Sequence, residues 1–339
     1  MQVHGFKTAV YFGAVVSALA VAGYSHAQDA DLYTYDVQGR LVGIQRPNNV
    51  STTYTLDAAD NRQVRTTFNQ FDAVWQAESL PHVVGYAIAD GWGADPTTSP
   101  GYMTYGPYTT GVPVGMNTAS WRIRVDDNAT GGTGNVVGFD VWDATAGVQL
   151  GSLVVNRFAW VAPNIYQDFE VPFALVSSSS GHQLEFRTNY GGSAAVVVDE
   201  IGYRHNGAVW LAATELPHVI GYADANGWVA DTSMSPGHMT YGPYAAVSPG
   251  ARNGVWRMMV DDVSIPDTLP VVTLDVWDAN ANELLASVTF DRHAWGAANT
   301  FKEFRIPFVQ GDVRTGHAME LRTYYHRAAK VTVQWIGVE

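Results

Sequence analysis

The chain has no cysteine among its 339 residues. This excludes a thiol nucleophile, thiolate zinc sites and a disulfide framework, so stability must come from packed cores or from metals held by oxygen. Positive charge is also scarce: 19 Lys and Arg stand against 32 Asp and Glu, for a formal net charge of −13. Binding a nucleic-acid backbone needs clustered Lys and Arg, and no basic run follows the first few residues. Neutral polymers are therefore better partner candidates than anionic ones, and a local Arg cluster is the remaining route to an anion. No apolar run beyond the N-terminal segment could span a bilayer. No Gly-x-Ser-x-Gly elbow, His-Glu-x-x-His helix or phosphate loop appears.

What is present is apolar, aromatic and rich in turns. Hydrophobic residues make up 47%, with 33 Gly, 11 Trp and 17 Tyr, a composition that suits short strands joined by tight turns. Residues 1–27 have the form of an export signal: Lys7, then an apolar run from Ala9 to Ala22, then Ser25-His26-Ala27 with small residues where a signal peptidase reads. Cleavage is expected after Ala27, leaving a secreted, periplasmic or cell-surface protein with no membrane span.

Internal repetition organises the rest. Leu80-Pro81-His82-Val83-Val84-Gly85-Tyr86 returns as Leu216-Pro217-His218-Val219-Ile220-Gly221-Tyr222, and Met103-Thr104-Tyr105-Gly106-Pro107-Tyr108 returns unchanged as Met239 to Tyr244. Asp140-Val141-Trp142-Asp143-Ala144 matches Asp275 to Ala279, and Glu185 with Arg187 matches Glu320 with Arg322. The offset of about 135 residues is that of a whole domain. Copy 1 is read as 73–205 and copy 2 as 208–339. The join at Asn206-Gly207 is short enough that they should touch or be held at a restricted angle.

Within each copy the pattern has period two. Trp121, Ile123 and Val125 alternate with Arg122, Arg124 and Asp126, and Leu184 and Phe186 alternate with Glu185 and Arg187. No helical stripe appears outside the signal. The fold class is all-β: two tandem jelly-roll β-sandwiches after a short N-terminal β-hairpin arm.

The arm, 28–72, contains Tyr33-Thr34-Tyr35-Asp36-Val37-Gln38-Gly39-Arg40-Leu41 and then Tyr54-Thr55-Leu56-Asp57-Ala58-Ala59-Asp60-Asn61-Arg62. These resemble two degenerate units of the tyrosine–aspartate repeat of RHS-type proteins. The second unit departs at Leu56 and Asp60. Two units cannot enclose anything, so the resemblance implies only a hairpin arm or spacer.

Each copy resembles a galactose-binding-like β-sandwich, the jelly roll of many carbohydrate-binding modules. The order of features carries this: Trp75-Gln76-Ala77-Glu78, a Gly-, Trp- and Tyr-rich loop, Gly115, the strand Trp121 to Val125, the central strand Val137 to Val141, Phe169 to Phe173, and Val196 to Tyr203. The resemblance implies a structural calcium held by an opening-strand acid, Glu78, and a closing-strand acid, Asp199. Copy 2 reads Val333-Gln334-Trp335-Ile336 at the closing strand, so the metal is expected in copy 1 only.

Sugar binding needs flat apolar rings and a few planar polar groups. One candidate set is the aromatic loop: Trp92 with Tyr102, Tyr105 and Tyr108, and Trp228 with Tyr241 and Tyr244. Trp160 and Trp295 lie in a second loop. The other set is the face opposite the core, where Arg122, Asp140, Trp142, Glu185 and Arg187 point outward, as do Arg257, Asp275, Trp277, Glu320 and Arg322. Turn packing and cross-strand ion pairs account for the same residues without a ligand.

Three readings stay open: a polysaccharide-binding protein with two modules, an adhesive or structural surface protein of RHS-type origin, and a polysaccharide lyase or glycosidase. Duplication leans away from catalysis, because two linked sites gain avidity on a polymer. The adjacent Asp126 and Asp127 point to opposite faces and cannot form a glycosidase pair. Exposed rings favour the first reading, rings buried or at interfaces the second, and a deep cleft with facing titratable groups the third.

Overall fold

The computed structural model describes residues 32–36, 38–45, 50–56, 62–69, 71–89, 91–129 and 132–339. The export-signal segment and residues 57–61 of the second arm unit lie outside the described residues. The chain divides into two compact units, Met1–Phe68 and Asn69–Glu339.

The first unit is a four-stranded sheet in the order β1 (Leu32–Tyr35), β2 (Leu41–Gln45), β3 (Val50–Leu56) and β4 (Arg62–Asn69). The arm is therefore larger than a single hairpin, because each repeat-like unit supplies two strands that pair in sequence. In the first unit the Asp36 carboxylate closes the turn. It accepts from the Gln38 and Arg40 amides at 3.0 and 2.9 Å and from Arg40 Nε at 2.6 Å. Gly39 takes the left-handed φ of 78° that the turn requires. These bonds, the Arg40 amide foremost, hold the Asp36 carboxyl below its usual range although burial opposes them.

The second unit holds two sandwiches of one topology. Copy 1 comprises β5 (Ala73–Gln76), β6 (Tyr86–Ile88), β7 (Gly91–Ala94), β8 (Gly101–Thr104), β9 (Pro107–Thr109), β10 (Gly115–Val125), β11 (Asn135–Asp143), β12 (Val148–Asn156), β13 (Gln167–Leu175), β14 (Leu184–Tyr190) and β15 (Val196–Gly207). Its larger sheet runs β13-β10-β15-β7-β6 with β5 also on β15, and its smaller sheet runs β12-β11-β14-β8 with β9 also on β14.

Copy 2 comprises β16 (Val209–Leu211), β17 (Tyr222–Asp224), β18 (Gly227–Ala230), β19 (Gly237–Thr240), β20 (Pro243–Ala246), β21 (Gly250–Val260), β22 (Val272–Asp278), β23 (Glu283–Phe290), β24 (Lys302–Gln310), β25 (Ala318–Tyr325) and β26 (Val331–Val338). Its sheets repeat the same orders, β24-β21-β26-β18-β17 with β16 on β26, and β23-β22-β25-β19 with β20 on β25. The alternation in each strand sends one set of side chains inward. Trp121, Ile123 and Val125 of β10, with Phe139 and Phe186 of the smaller sheet, are fully buried in copy 1, and Trp256, Met258 and Val260 repeat this in copy 2. Burying one such side chain contributes about 1.5–3 kcal/mol.

The repeated Leu-Pro-His-Val-x-Gly-Tyr motif locks the larger sheet. His82 stacks on Trp92 with ring centroids 3.5 Å apart and planes 4° apart, and Trp92 Nε1 donates to the Val84 carbonyl at 2.8 Å. His218 and Trp228 repeat the stack at 3.5 Å, with Trp228 Nε1 on the Ile220 carbonyl. Gly85 has φ 97°, and a Cβ there would sit 2.6 Å from Trp92 Nε1, so only glycine lets the indole close down.

The copies touch. One residue, Ala208, separates β15 from β16, and a Cβ on Gly207 would fall on the Val338 carbonyl. Met116 of copy 1 packs with Val209, Val255 and Trp335 of copy 2, flanked by Val114, Ala174 and Val176. By strand register, Trp335 takes the place that Glu200 has in copy 1, since Arg257 faces Trp335 as Arg122 faces Glu200. Glu200 is thus replaced in copy 2 by the ring that holds the junction, and Asp199 by Gln334, which accepts from Arg257 Nε at 2.7 Å. Among the described residues no helix is long and apolar enough to cross a membrane.

Candidate functional site: the outward face of the smaller sheet

The smaller sheet brings the two sequence candidates together. β8 and β9 carry Tyr102 and Tyr108, and both pair with β14, which carries Glu185 and Arg187. Three cross-strand rows form the outward face of copy 1. The first is Val154, Gly138, Asn189 and Tyr102; the second is Ser152, Asp140 and Arg187; the third is Trp142, Glu185 and Pro107.

Arg187 is the fixed centre. Its Nε donates to Asp140 Oδ1 at 2.6 Å, and its guanidinium lies 4.3 Å from the Trp142 ring centroid and 5.3 Å from that of Tyr102. Burial raises the Asp140 carboxyl, and the Arg187 bond pulls it back in part. Tyr108 is 42% exposed at the rim, and Tyr105 stands perpendicular to it at 6.5 Å. The Tyr108 hydroxyl is raised by burial and then by Glu185. A groove of about 340 Å³ runs beside this stack, lined by Gly138, Asp140, Gln149, Ser152, Val154 and Asn189. A Cβ on Gly138 would meet nothing closer than Val154 Cγ2 at 3.8 Å, so the glycine leaves open space in the sheet surface.

Copy 2 keeps the centre and fills the groove. Arg322 Nε donates to Asp275 Oδ1 at 2.6 Å, and its guanidinium lies 4.4 Å from the Trp277 ring. Tyr244 is exposed and Tyr241 stands perpendicular to it at 6.4 Å, as in copy 1. The first row, however, reads Thr289, Thr273, Tyr324 and His238. Thr273 Oγ1 bonds Thr289 Oγ1 at 2.8 Å and His326 Nε2 at 2.7 Å, and Tyr324 packs edge-on against His238 at 5.2 Å and His326 at 5.0 Å. Where copy 1 has Gly138, Asn189 and Gly191, copy 2 has Thr273, Tyr324 and His326. Burial lowers both histidines, and Arg322 lowers His238 further.

The remaining candidates lie elsewhere. Trp92 and Trp228 belong to the larger sheet, each with one face under a histidine. Trp160 and Trp295 are buried and donate to the Ile123 and Met258 carbonyls at 3.0 and 3.1 Å. Arg122 does not share a face with Asp140, Trp142, Glu185 and Arg187, because β10 lies in the larger sheet and its outward side is the opposite surface of the sandwich. Arg257 is separated from Asp275 and Trp277 in the same way.

Glu78 is exposed on a single turn of 3-10 helix, and Asp199 accepts from Arg122 Nε at 2.9 Å. Among the described residues no group of three Asp, Glu or His side chains is placed to hold a metal ion. Calcium takes six to eight oxygens, so these two carboxylates are not a cage by themselves. Sequence reasoning did not single out Gly138, Ser152, Val154 and Asn189. The available signal was comparison of the copies: residues 138, 189 and 191 differ while 140, 142, 187 and 190 are kept. Glu200, which the sequence offers only as one carboxylate among several, has its carboxyl pushed up to about 7 by burial and by the nearby Asp199 and Asp168.

No protein-family profile matches the chain. No curated protein matches it. Among solved structures, the N-terminal CBM22-1–CBM22-2 tandem domain of Xyn10C from Paenibacillus barcinonensis is similar at 10% identity, with 92% of this chain and 90% of that chain covered and a TM-score of 0.23. The all-β class and the paired sandwiches stand on the strand pairing described above.

Proposed function

We propose that the chain is an exported carbohydrate-binding protein that takes a neutral polysaccharide across the smaller-sheet face of copy 1. The carrying observation is the open groove over Gly138 beside the Trp142–Arg187–Tyr102 stack. Ring faces for sugar C–H groups lie next to planar and hydroxyl partners from Asp140, Asn189, Gln149 and Ser152, the combination saccharides need. Arg187 is already held by its ion pair, so ordering the site costs little on binding. Copy 2 serves as a scaffold that fixes the orientation of copy 1.

The adhesive reading has one observation in its favour: Trp92, Trp160, Trp228 and Trp295 are all engaged within the fold. A pull-down on insoluble polysaccharides and a glycan array separates the two. Retention on one neutral glycan class, lost in Trp142→Ala and kept in Trp277→Ala, is the expected result. No retention on any glycan would overturn it and favour the adhesive reading. Repeating the assay with a chelator tests the proposed calcium at Glu78 and Asp199: loss of retention or of thermal stability is expected if the ion is bound there, and no change removes it.

A further inference from the structure

We propose that the junction between the two sandwiches holds a second binding site, for a saccharide carrying one carboxylate, with Arg252 as its anchor. The choice of a sugar acid rests on the carbohydrate reading above; the site itself does not. A cleft of about 500 Å³ opens where the larger sheets of the two copies meet, with Thr118, Glu170 and Arg204 on one side and Arg252, Asn253, Arg305 and Glu339 on the other. The short connection and the packing of Met116 on Trp335 fix its walls.

The Arg and Glu side chains of its lining cancel in pairs, except one. Arg204 grips Glu170 through two bonds of 2.6 and 2.8 Å. At the equivalent positions of copy 2 the signs are exchanged, and Arg305 Nε donates to Glu339 at 3.0 Å. Arg252 has no such partner. Its Nε and Nη2 donate to the Ser248 and Pro249 carbonyls at 2.9 and 3.1 Å, which fixes the guanidinium, and among the described residues no carboxylate pairs with it. The same position in copy 1 is Asn117, which is buried and spends its amide on the Pro113 and Gly115 carbonyls. The side-chain amide of Asn253, beside Arg252 in the cleft wall, also makes no hydrogen bond among the described residues.

The lining residues thus leave one unpaired positive charge with amide and hydroxyl groups around it, on a chain of net charge −13. A guanidinium fork suits a carboxylate. Glu170 and Glu339 at the walls would repel a dianion, which favours a singly charged uronic acid over a phosphate. No Trp, Tyr or Phe lines the cleft, and the His205 imidazole in its wall is tied to Asn117 Oδ1 at 3.2 Å, so binding should depend on charge-assisted hydrogen bonds and fall with added salt.

The test is isothermal titration of the whole chain with the singly charged methyl galacturonide and with its neutral methyl galactoside counterpart, using Arg252→Gln and Gly138→Thr. The uronate should bind the wild type, and Arg252→Gln should weaken it by at least about tenfold while neutral-glycan retention stays unchanged. Gly138→Thr should leave uronate binding as it was. Absence of uronate binding at millimolar concentration, insensitivity to Arg252→Gln, or loss in Gly138→Thr overturns the proposal. Uronate binding that Arg252→Gln removes, with no neutral glycan bound by any variant, sinks the sheet-face reading and leaves the cleft standing.

Discussion

Trp121 and Trp256 sit at the same place in two cores, and Arg187 and Arg322 make the same bond to Asp140 and Asp275. Two residues along the same strands the copies part: Gly138 faces Asn189 in copy 1, and Thr273 faces Tyr324 in copy 2. On the larger sheet Glu200 of copy 1 becomes Trp335 of copy 2. Positions that build the sandwich are shared, because replacing a buried ring leaves a cavity worth several kcal/mol. Of the outward positions, the Asp140–Trp142–Arg187 centre is kept, while the row beside it and position 200 have diverged, toward an open groove in copy 1 and toward a filled surface and a docking ring in copy 2. A duplicated domain thus presents two different outward surfaces within one topology.

The largest effect should come from the docking ring. Trp335→Glu puts a charge under Met116 and should cost about 3–5 kcal/mol, read as a lower denaturant midpoint in which the two sandwiches no longer unfold together. Coincident unfolding at the wild-type midpoint would show that the junction carries no such energy. Next is the groove. Trp142→Ala should weaken glycan binding by about tenfold or more, whereas Trp277→Ala should leave it within about twofold; equal losses would mean both copies bind.

Smaller differences should appear with pH, with opposite sign in the two copies. Glu200 is raised in the folded state, so the native protein holds its proton more tightly than the unfolded chain does. The stability this gives is present below the unfolded value near 4.5 and is lost as pH rises through about 7. Glu200→Gln should therefore stabilise the protein at pH 8 by on the order of 1–3 kcal/mol and change little at pH 4.5. His238 and His326 are lowered in the folded state, so their contribution is present above the unfolded value near 6.5 and fades as pH falls below it. His238→Gln should flatten that acid limb in thermal melts. A variant whose pH dependence matches the wild type would contradict either assignment.

Much of this is legible in the sequence. The shared motifs located two copies, and period-two alternation assigned inward Trp121 and outward Arg187 correctly. Alternation gives the side of a strand but not the sheet to which it belongs, which is why Arg122 was grouped with Arg187 although they lie on opposite surfaces. Trp92 read as a ring for ligand because nothing in spacing shows that His82, ten residues earlier, stacks on it. The closing strand of copy 2 shows only the loss of the Asp199 acid, at Gln334, and gives no sign of the part Trp335 plays, since a ring that faces another domain has no signature within its own strand. Gly138 carried no signal alone and became meaningful only beside Thr273.

The most direct test of the account is the stoichiometry of a neutral oligosaccharide, measured by calorimetric titration for the wild type and for Gly138→Thr, a change the open space at residue 138 accepts without disturbing the fold. One site per chain in the wild type and none in the variant is the predicted result. Two sites per chain, or a variant that binds as the wild type does, would contradict it.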